Sequence, residues 1–150
     1  MVLVDGQGVP LGVCVAAASL AESTLAERTL ACVHVPRWRR TPRGRRPGPG
    51  RPRMKPVRLV ADRAYDCRAL WERLHARRID LIVPHRRKRR PENRWQDGRK
   101  LRRYRHRWII ERTNAWLHSF RRLVTRYERR PDIYLAFVHV ACMLIALRQF

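Results

Sequence analysis

Two carboxylates stand out by the chain around them. Glu111 shares a spacing of three and four residues with Tyr104, Trp108, Ala115 and His118, which sets all five on one helical face expected to turn inward. A charged, unpaired carboxylate on such a face costs on the order of several kcal/mol, so it calls for an arginine, a proton or a metal ion. An ion pair with Arg107, four residues earlier, is the simpler alternative. Asp62 closes the apolar run Val57-Arg-Leu-Val-Ala61, the end of a short strand where βα loops of open sheets gather their ligands. It could instead serve as a turn or capping residue, but Asp66 is expected to cap the next helix and to leave Asp62 free. Carboxylates from two separate elements suit hard cations such as Mg²⁺, which keep positions open for phosphate and water. Two such ions about 3.5 to 4 Å apart stabilise both the attacking and the leaving oxygen of a phosphodiester.

The rest of the composition agrees with a phosphate-rich partner. The 150 residues carry 35 Lys and Arg against 12 Asp and Glu, a formal charge of +23. Repulsion of that size works against a compact state unless polyanions relieve it, and nucleic acid does so while releasing its own counterions. Only Lys55, Lys88 and Lys100 are lysines, so the cations are mostly forked guanidinium groups that make directional phosphate contacts. An acidic membrane is the competing partner. The opening Met-Val-Leu-Val-Asp-Gly-Gln-Gly has neither the charged start nor the apolar core of a signal peptide. The apolar stretch Ile133 to Leu147 is shorter than the roughly 20 residues that span a bilayer and is expected to be a buried helix. No membrane partner and a cytoplasmic, nucleoid-associated location follow as expectations. Cys14, Cys32, Cys67 and Cys142 are dispersed, without a C-x-x-C pair, and read as small buried hydrophobes in a reducing compartment. A zinc site on Cys32 and His34 lacks a second pair of ligands.

These side chains need a frame. Val2 to Val4 and Val9 to Val15 flank Asp5-Gly6-Gln7-Gly8, a hairpin pattern. Ser19-Leu-Ala-Glu22 has the form of a capping box, opening a helix that should end near Val35. Residues 36–56 are rich in proline, glycine and arginine and are expected to form a flexible connection. A strand at 57–61, a helix with Leu70, Trp71 and Leu74 to about Arg77, and the strand Ile79 to Val83 make a βαβ unit. A basic arm over 85–103 follows, then one long helix from about Arg102 to Arg129, and after Arg130-Pro131 a last helix to about Arg148. The sum is a mixed α/β domain.

Two segments go further. VADRAYD around Asp62 and YRHRWIIERTNAWLHSFRRLVTRYERR from Tyr104 closely resemble the DDE transposases of bacterial insertion sequences, in particular the insertion-sequence-five group, and VDGQGVPLGV resembles that group's hairpin. The resemblance implies an RNase-H-like mixed sheet flanked by helices, with Mg²⁺ or Mn²⁺ held by an Asp on the first strand, a second Asp and a Glu on a late helix. Asp62 matches the second of these and Glu111 the third, as catalytic and metal-binding residues. The family's pattern on the glutamate helix falls on Tyr104, Arg107, Glu111 and His118. His118 stands where a Lys or Arg is usual, so its contact with transposon-end phosphate would depend on protonation, with Arg121 or Arg122 as substitutes. The hairpin corresponds to the second and third strands. The first strand and its Asp are therefore expected upstream of Met1, in a chain truncated at its N-terminus.

The resemblance implies DNA as partner, both transposon ends and target, and a homo-oligomer on synapsis. Hydrolytic cleavage of the ends and transfer of their 3′ hydroxyls to target DNA is the expected activity. A non-catalytic DNA-binding remnant that inhibits a full-length transposase is the alternative. A basic RNA-binding protein of the ribosomal kind explains the charge but not two acids on apolar elements.

Overall fold

The structure, a computed structural model, describes residues 1–33, 55–86, 88–96 and 98–149. Nearly all of the Pro/Arg connection, and His34 of the zinc alternative, lie outside the described residues. What is described is a mixed α/β arrangement of two small sheets and several helices.

The N-terminal hairpin forms as its sequence suggests. Strands β1 (Val2–Val4) and β2 (Pro10–Val13) pair antiparallel, Val2 opposite Val13 and Leu3 opposite Gly12, with an irregularity between Leu3 and Val4. Asp5 ties the turn together: its Oδ1 accepts the backbone N–H of Gln7 at 2.8 Å and of Val9 at 2.9 Å, the local bonding that favours aspartate in turns. Helix α1 (Glu22–Ala31) lays Leu25, Ala26, Thr29 and Leu30 inward. Gly12 allows it to lie close to β2, because a Cβ there would sit 2.9 Å from the Thr29 carbonyl oxygen. The helix starts later than the Ser19 pattern suggests. Ala21 is its N-cap, with no side-chain capping bond, so the apolar face that packs has decided the start over the capping motif.

Strands β3 (Arg58–Val60) and β4 (Asp80–Ile82) pair parallel, Leu59 opposite Leu81, and helix α2 (Arg68–Ala76) makes the crossover. This βαβ unit holds the main core: Leu59, Leu70, Leu74, Ile79, Leu81 and Val83, joined by Ala26 and Leu30 of α1. Leu70, Leu74 and Leu81 are wholly buried. After α2 the chain reverses through Arg78, at φ 58°, while the N–H of Ile79 bonds the Leu74 carbonyl at 2.9 Å. A left-handed residue just past a helix is a common C-terminal stop.

The segment beyond β4 folds back on this core. Trp95 packs against Trp71 at 5.5 Å between ring centroids and edge-on to His85 at 4.9 Å, and Gln96 Nε2 donates to the Val83 carbonyl.

The single long helix expected from Arg102 to Arg129 is three pieces: a 3₁₀ helix at Gly98–Arg107, α3 (Trp108–His118) and α4 (Arg121–Val124). Like charges one turn apart, Arg99 with Arg103 and Arg103 with Arg107, oppose an α-helix in the first piece. The break after His118 has two causes. Ser119 Oγ donates to the Trp116 carbonyl at 2.7 Å, a local bond that competes with helix continuation, and Phe120 and Leu123 turn toward a second apolar cluster of Leu117, Ala141 and Ile145. The last helix, α5 (Pro131–Leu147), buries only one stripe, Val138, Ala141 and Ile145; Val140, Met143 and Leu147 are exposed. It is therefore not the buried helix its hydropathy suggests, since α3, α4 and β2 cover only one side of it.

Candidate active site

Between the two strand pairs runs a cleft of about 920 Å³. β1 and β3 both line it, α1 contributes Glu22 and Leu25, and α3 contributes Ile109, Ile110, Glu111, Asn114 and His118. Asp62 and Glu111, from elements 49 positions apart by residue number, thus face one space.

Their settings differ from the expectation in instructive ways. Asp62, not Asp66, is the capping residue: its Oδ1 accepts the Ala64 N–H at 2.7 Å and opens the 3₁₀ turn Arg63–Tyr65. Its second carboxylate oxygen has no hydrogen bond among the described residues. The N-cap of α2 is Cys67, without a capping bond. The face Tyr104–Trp108–Glu111–Ala115–His118 does not turn into the core. Trp108 is 51% exposed and the Glu111 side chain 55%, while Thr113 and Leu117 are the buried positions of α3. What directs the helix is the pull of those two residues and their neighbours, which puts Glu111 at the cleft, partly in water.

Glu111 pairs with Arg107 through Nη2. Arg107 also donates from Nη1 to the Tyr104 hydroxyl at 3.3 Å, and its guanidinium is held further toward the charged form, first by Glu111 and then by Tyr104. Tyr104, Arg107 and Glu111 are thus one connected string. Arg107 and His118 line the cleft; Arg121 and Arg122 do not. Arg122 is bound to Glu128 at 3.1 Å and lies over the Phe137 ring at 5.1 Å.

Two groups that the sequence reading passed over prove central. Arg112 and Thr113, directly after Glu111, grip the hairpin turn. Thr113 Oγ1 donates to the Gly8 carbonyl at 2.8 Å, and Arg112 donates to the Gln7 carbonyl while its guanidinium lies against Trp108 and Trp116 at 4.8 and 4.7 Å. Gly8 is required by this contact. It has φ 88°, and a Cβ would meet Thr113 Oγ1 at 2.9 Å. The Glu-Arg-Thr triplet therefore sets the glutamate at the cleft and clamps α3 to the hairpin. The second group is Tyr65, which lines the cleft with Glu22 and Asp62. Burial first, then those two carboxylates, push its hydroxyl well above the ordinary range, so it stays protonated.

Asp62 and Glu111 offer oxygen donors of the type hard cations take. Among the described residues, however, no three His, Cys, Asp or Glu come together as a metal-binding group. Among those residues no helix is long and apolar enough to cross a membrane.

The described residues thus form a mixed α/β scaffold that presents Asp62 and Glu111 to one cleft, in a chain rich in arginine. The family comparison is specific: the model of the transposase DDE domain matches residues 1–146, and the chain belongs to that family. It is similar, at 44% identity over 96 residues, to the transposase assigned to insertion sequence element IS402 of Burkholderia cepacia. That match takes in 64% of this chain and 41% of the relative, so the chain spans about two-fifths of the length of the relative it matches. No solved structure matches it.

Proposed function

We propose that this chain forms part of the catalytic face of a DNA transposase, with Asp62 and Glu111 as two of its metal-binding carboxylates. The observation that carries the reading is their convergence on one cleft in a chain matched along 1–146 by the transposase DDE domain. Mg²⁺ or Mn²⁺ held there would supply Lewis-acid stabilisation of phosphodiester oxygens and an activated water. The chain's own part is to present the free oxygen of Asp62, to release Glu111 from Arg107 when a cation competes for it, and to hold DNA. Arg107 and His118, which line the cleft, and Tyr104, bonded to Arg107, would meet transposon-end phosphate; Arg121 and Arg122 would act outside the cleft.

The RNase-H-like fold belongs to the same proposal. A strand seated between β1 and β3 would join the antiparallel and parallel pairs into one mixed sheet, and an acidic residue on it beside Asp62 would complete the ligand set. Homo-oligomers on synapsed ends and action on nucleoid DNA in the cytoplasm follow from the role.

A second reading is a DNA-binding chain without catalysis that interferes with a full-length transposase. Nicking assays on duplexes carrying the element's ends separate the two. Mn²⁺-dependent nicking that disappears in Glu111→Gln and Asp62→Asn supports the enzyme. Salt-sensitive binding with no cleavage in either metal leaves only the second reading.

A further inference from the structure

Away from the cleft, one carboxylate organises a set of cations. The Asp66 side chain is 0% exposed. Its Oδ1 lies 3.0 Å from His85 Nδ1, and its Oδ2 accepts the Arg86 backbone N–H at 2.8 Å and Arg89 Nε at 3.0 Å. Arg89 also donates to the Asp66 carbonyl at 3.2 Å and, from Nη1, to that of Asn93 at 3.4 Å. Trp95 closes over His85 from the far side. A basic stretch that would otherwise spread by self-repulsion is thereby folded onto the start of α2.

This folding creates an open pocket of about 470 Å³; the described residues that line it are Arg68, Arg86, Lys88, Arg89, Arg90 and Asn93, and none of these is acidic. Arg89 is spent on Asp66. Arg68 and Arg90 make exposed pairs with Glu72 at 2.8 Å and Glu92 at 4.0 Å, contacts weak enough to be exchanged for phosphate. The side chains of Arg86 and Lys88 have no acidic or hydrogen-bonding partner among the described residues.

We propose that this pocket is a preformed clamp for a DNA backbone phosphate, with Arg86 and Lys88 as its contacts and Asp66 as the positioning residue that holds them in place. Preorganisation spares the loop an ordering cost at the moment of binding. The site is distinct from the Tyr104-to-Arg122 set, and it rests on the DNA-binding part of the proposed function.

The test is duplex binding by the full chain across a KCl series. Each phosphate contact contributes about 0.9 to the slope of log affinity against log salt. The Arg86→Gln/Lys88→Gln double variant is expected to lose nearly two from the slope and at least about tenfold in affinity near 0.1 M salt. Arg28→Gln/Arg148→Gln removes the same charge from exposed positions elsewhere and should leave the slope unchanged. Asp66→Asn makes the chain one charge more positive, so a general attraction predicts tighter binding, whereas the clamp predicts weaker binding. Equal slopes in the two double variants, or tighter binding by a folded Asp66→Asn protein, would overturn the clamp. Wild-type protein that fails to bind duplex at low salt would sink the transposase reading along with it.

Discussion

Asp62 and Asp66 lie four residues apart, at the same end of the same parallel strand pair, yet the chain uses them in opposite ways. Asp66 has both carboxylate oxygens occupied and no exposed side-chain surface. Asp62 spends one oxygen on a turn N–H and keeps the other at the cleft. The same division separates the two regions they serve: a closed base of Leu70, Leu74, Leu81 and the Trp95 lid, and an open cleft whose Glu111 is more exposed than buried. Saturated bonding marks Asp66 as a residue that stabilises the fold, and the oxygen that Asp62 keeps unbonded is the one the proposed cation site would use.

Substitutions can break this contrast. In the base, Leu74→Ala is expected to cost about 3 to 4 kcal/mol by lost burial and a residual cavity; Leu147→Ala, on the exposed side of α5, should cost under about 0.5 kcal/mol, both read by urea unfolding. Asp66→Ala leaves Arg89 without its buried counter-charge and His85 without its hydrogen-bond partner and should cost about 3 kcal/mol. A value near that of a surface change would remove the distinction between the two aspartates.

The clamp on the hairpin comes next. Gly8→Ala combines a left-handed backbone with a clash against Thr113, and about 2 kcal/mol of destabilisation is expected. Thr113→Val, which leaves the buried Gly8 carbonyl without its donor, should cost about 1 to 2 kcal/mol.

Acid sharpens the comparison further. Burial alone would raise the Asp66 pKa, but the Arg86 N–H, His85 and Arg89 outweigh it and hold the carboxyl below its ordinary value. A carboxyl depressed in the folded state contributes its full stability above the unfolded value near about 4 and loses it as pH falls through the folded value. Stability should therefore decline below about pH 4, and an Asp66→Asn protein should show a flatter acid limb in pH-dependent melting. The smallest effect on stability is expected in the cleft: Glu111→Gln removes only an exposed pair with Arg107 and should shift unfolding by less than about 0.5 kcal/mol while abolishing metal-dependent nicking.

Much of the scaffold is legible from local pattern. The Asp5-to-Gly8 turn, the βαβ alternation around Leu70 and Leu74, and the proline that opens α5 each act through neighbours in sequence, so they appear where the local pattern puts them. The interruption of the expected long helix was not legible, because no glycine or proline stands between His118 and Arg121; the turn comes from Ser119 bonding backward and Phe120 finding the α5 cluster. The capping roles of Asp62 and Asp66 were exchanged for a similar reason. Either aspartate suits a cap locally, and only the return of His85, Arg86 and Arg89 from 19 to 23 residues away engages Asp66.

By itself, then, the sequence determined the charge, the strand and helix alternation and the segments that mark the family, because these depend on residue type and short spacing. The tertiary structure alone decided that Glu111 faces a cleft rather than a core, that Thr113 needs Gly8, and that a basic stretch becomes a folded pocket. Those outcomes depend on contacts between residues up to 105 positions apart, where packing and the satisfaction of buried polar groups select among arrangements that the local pattern leaves equal.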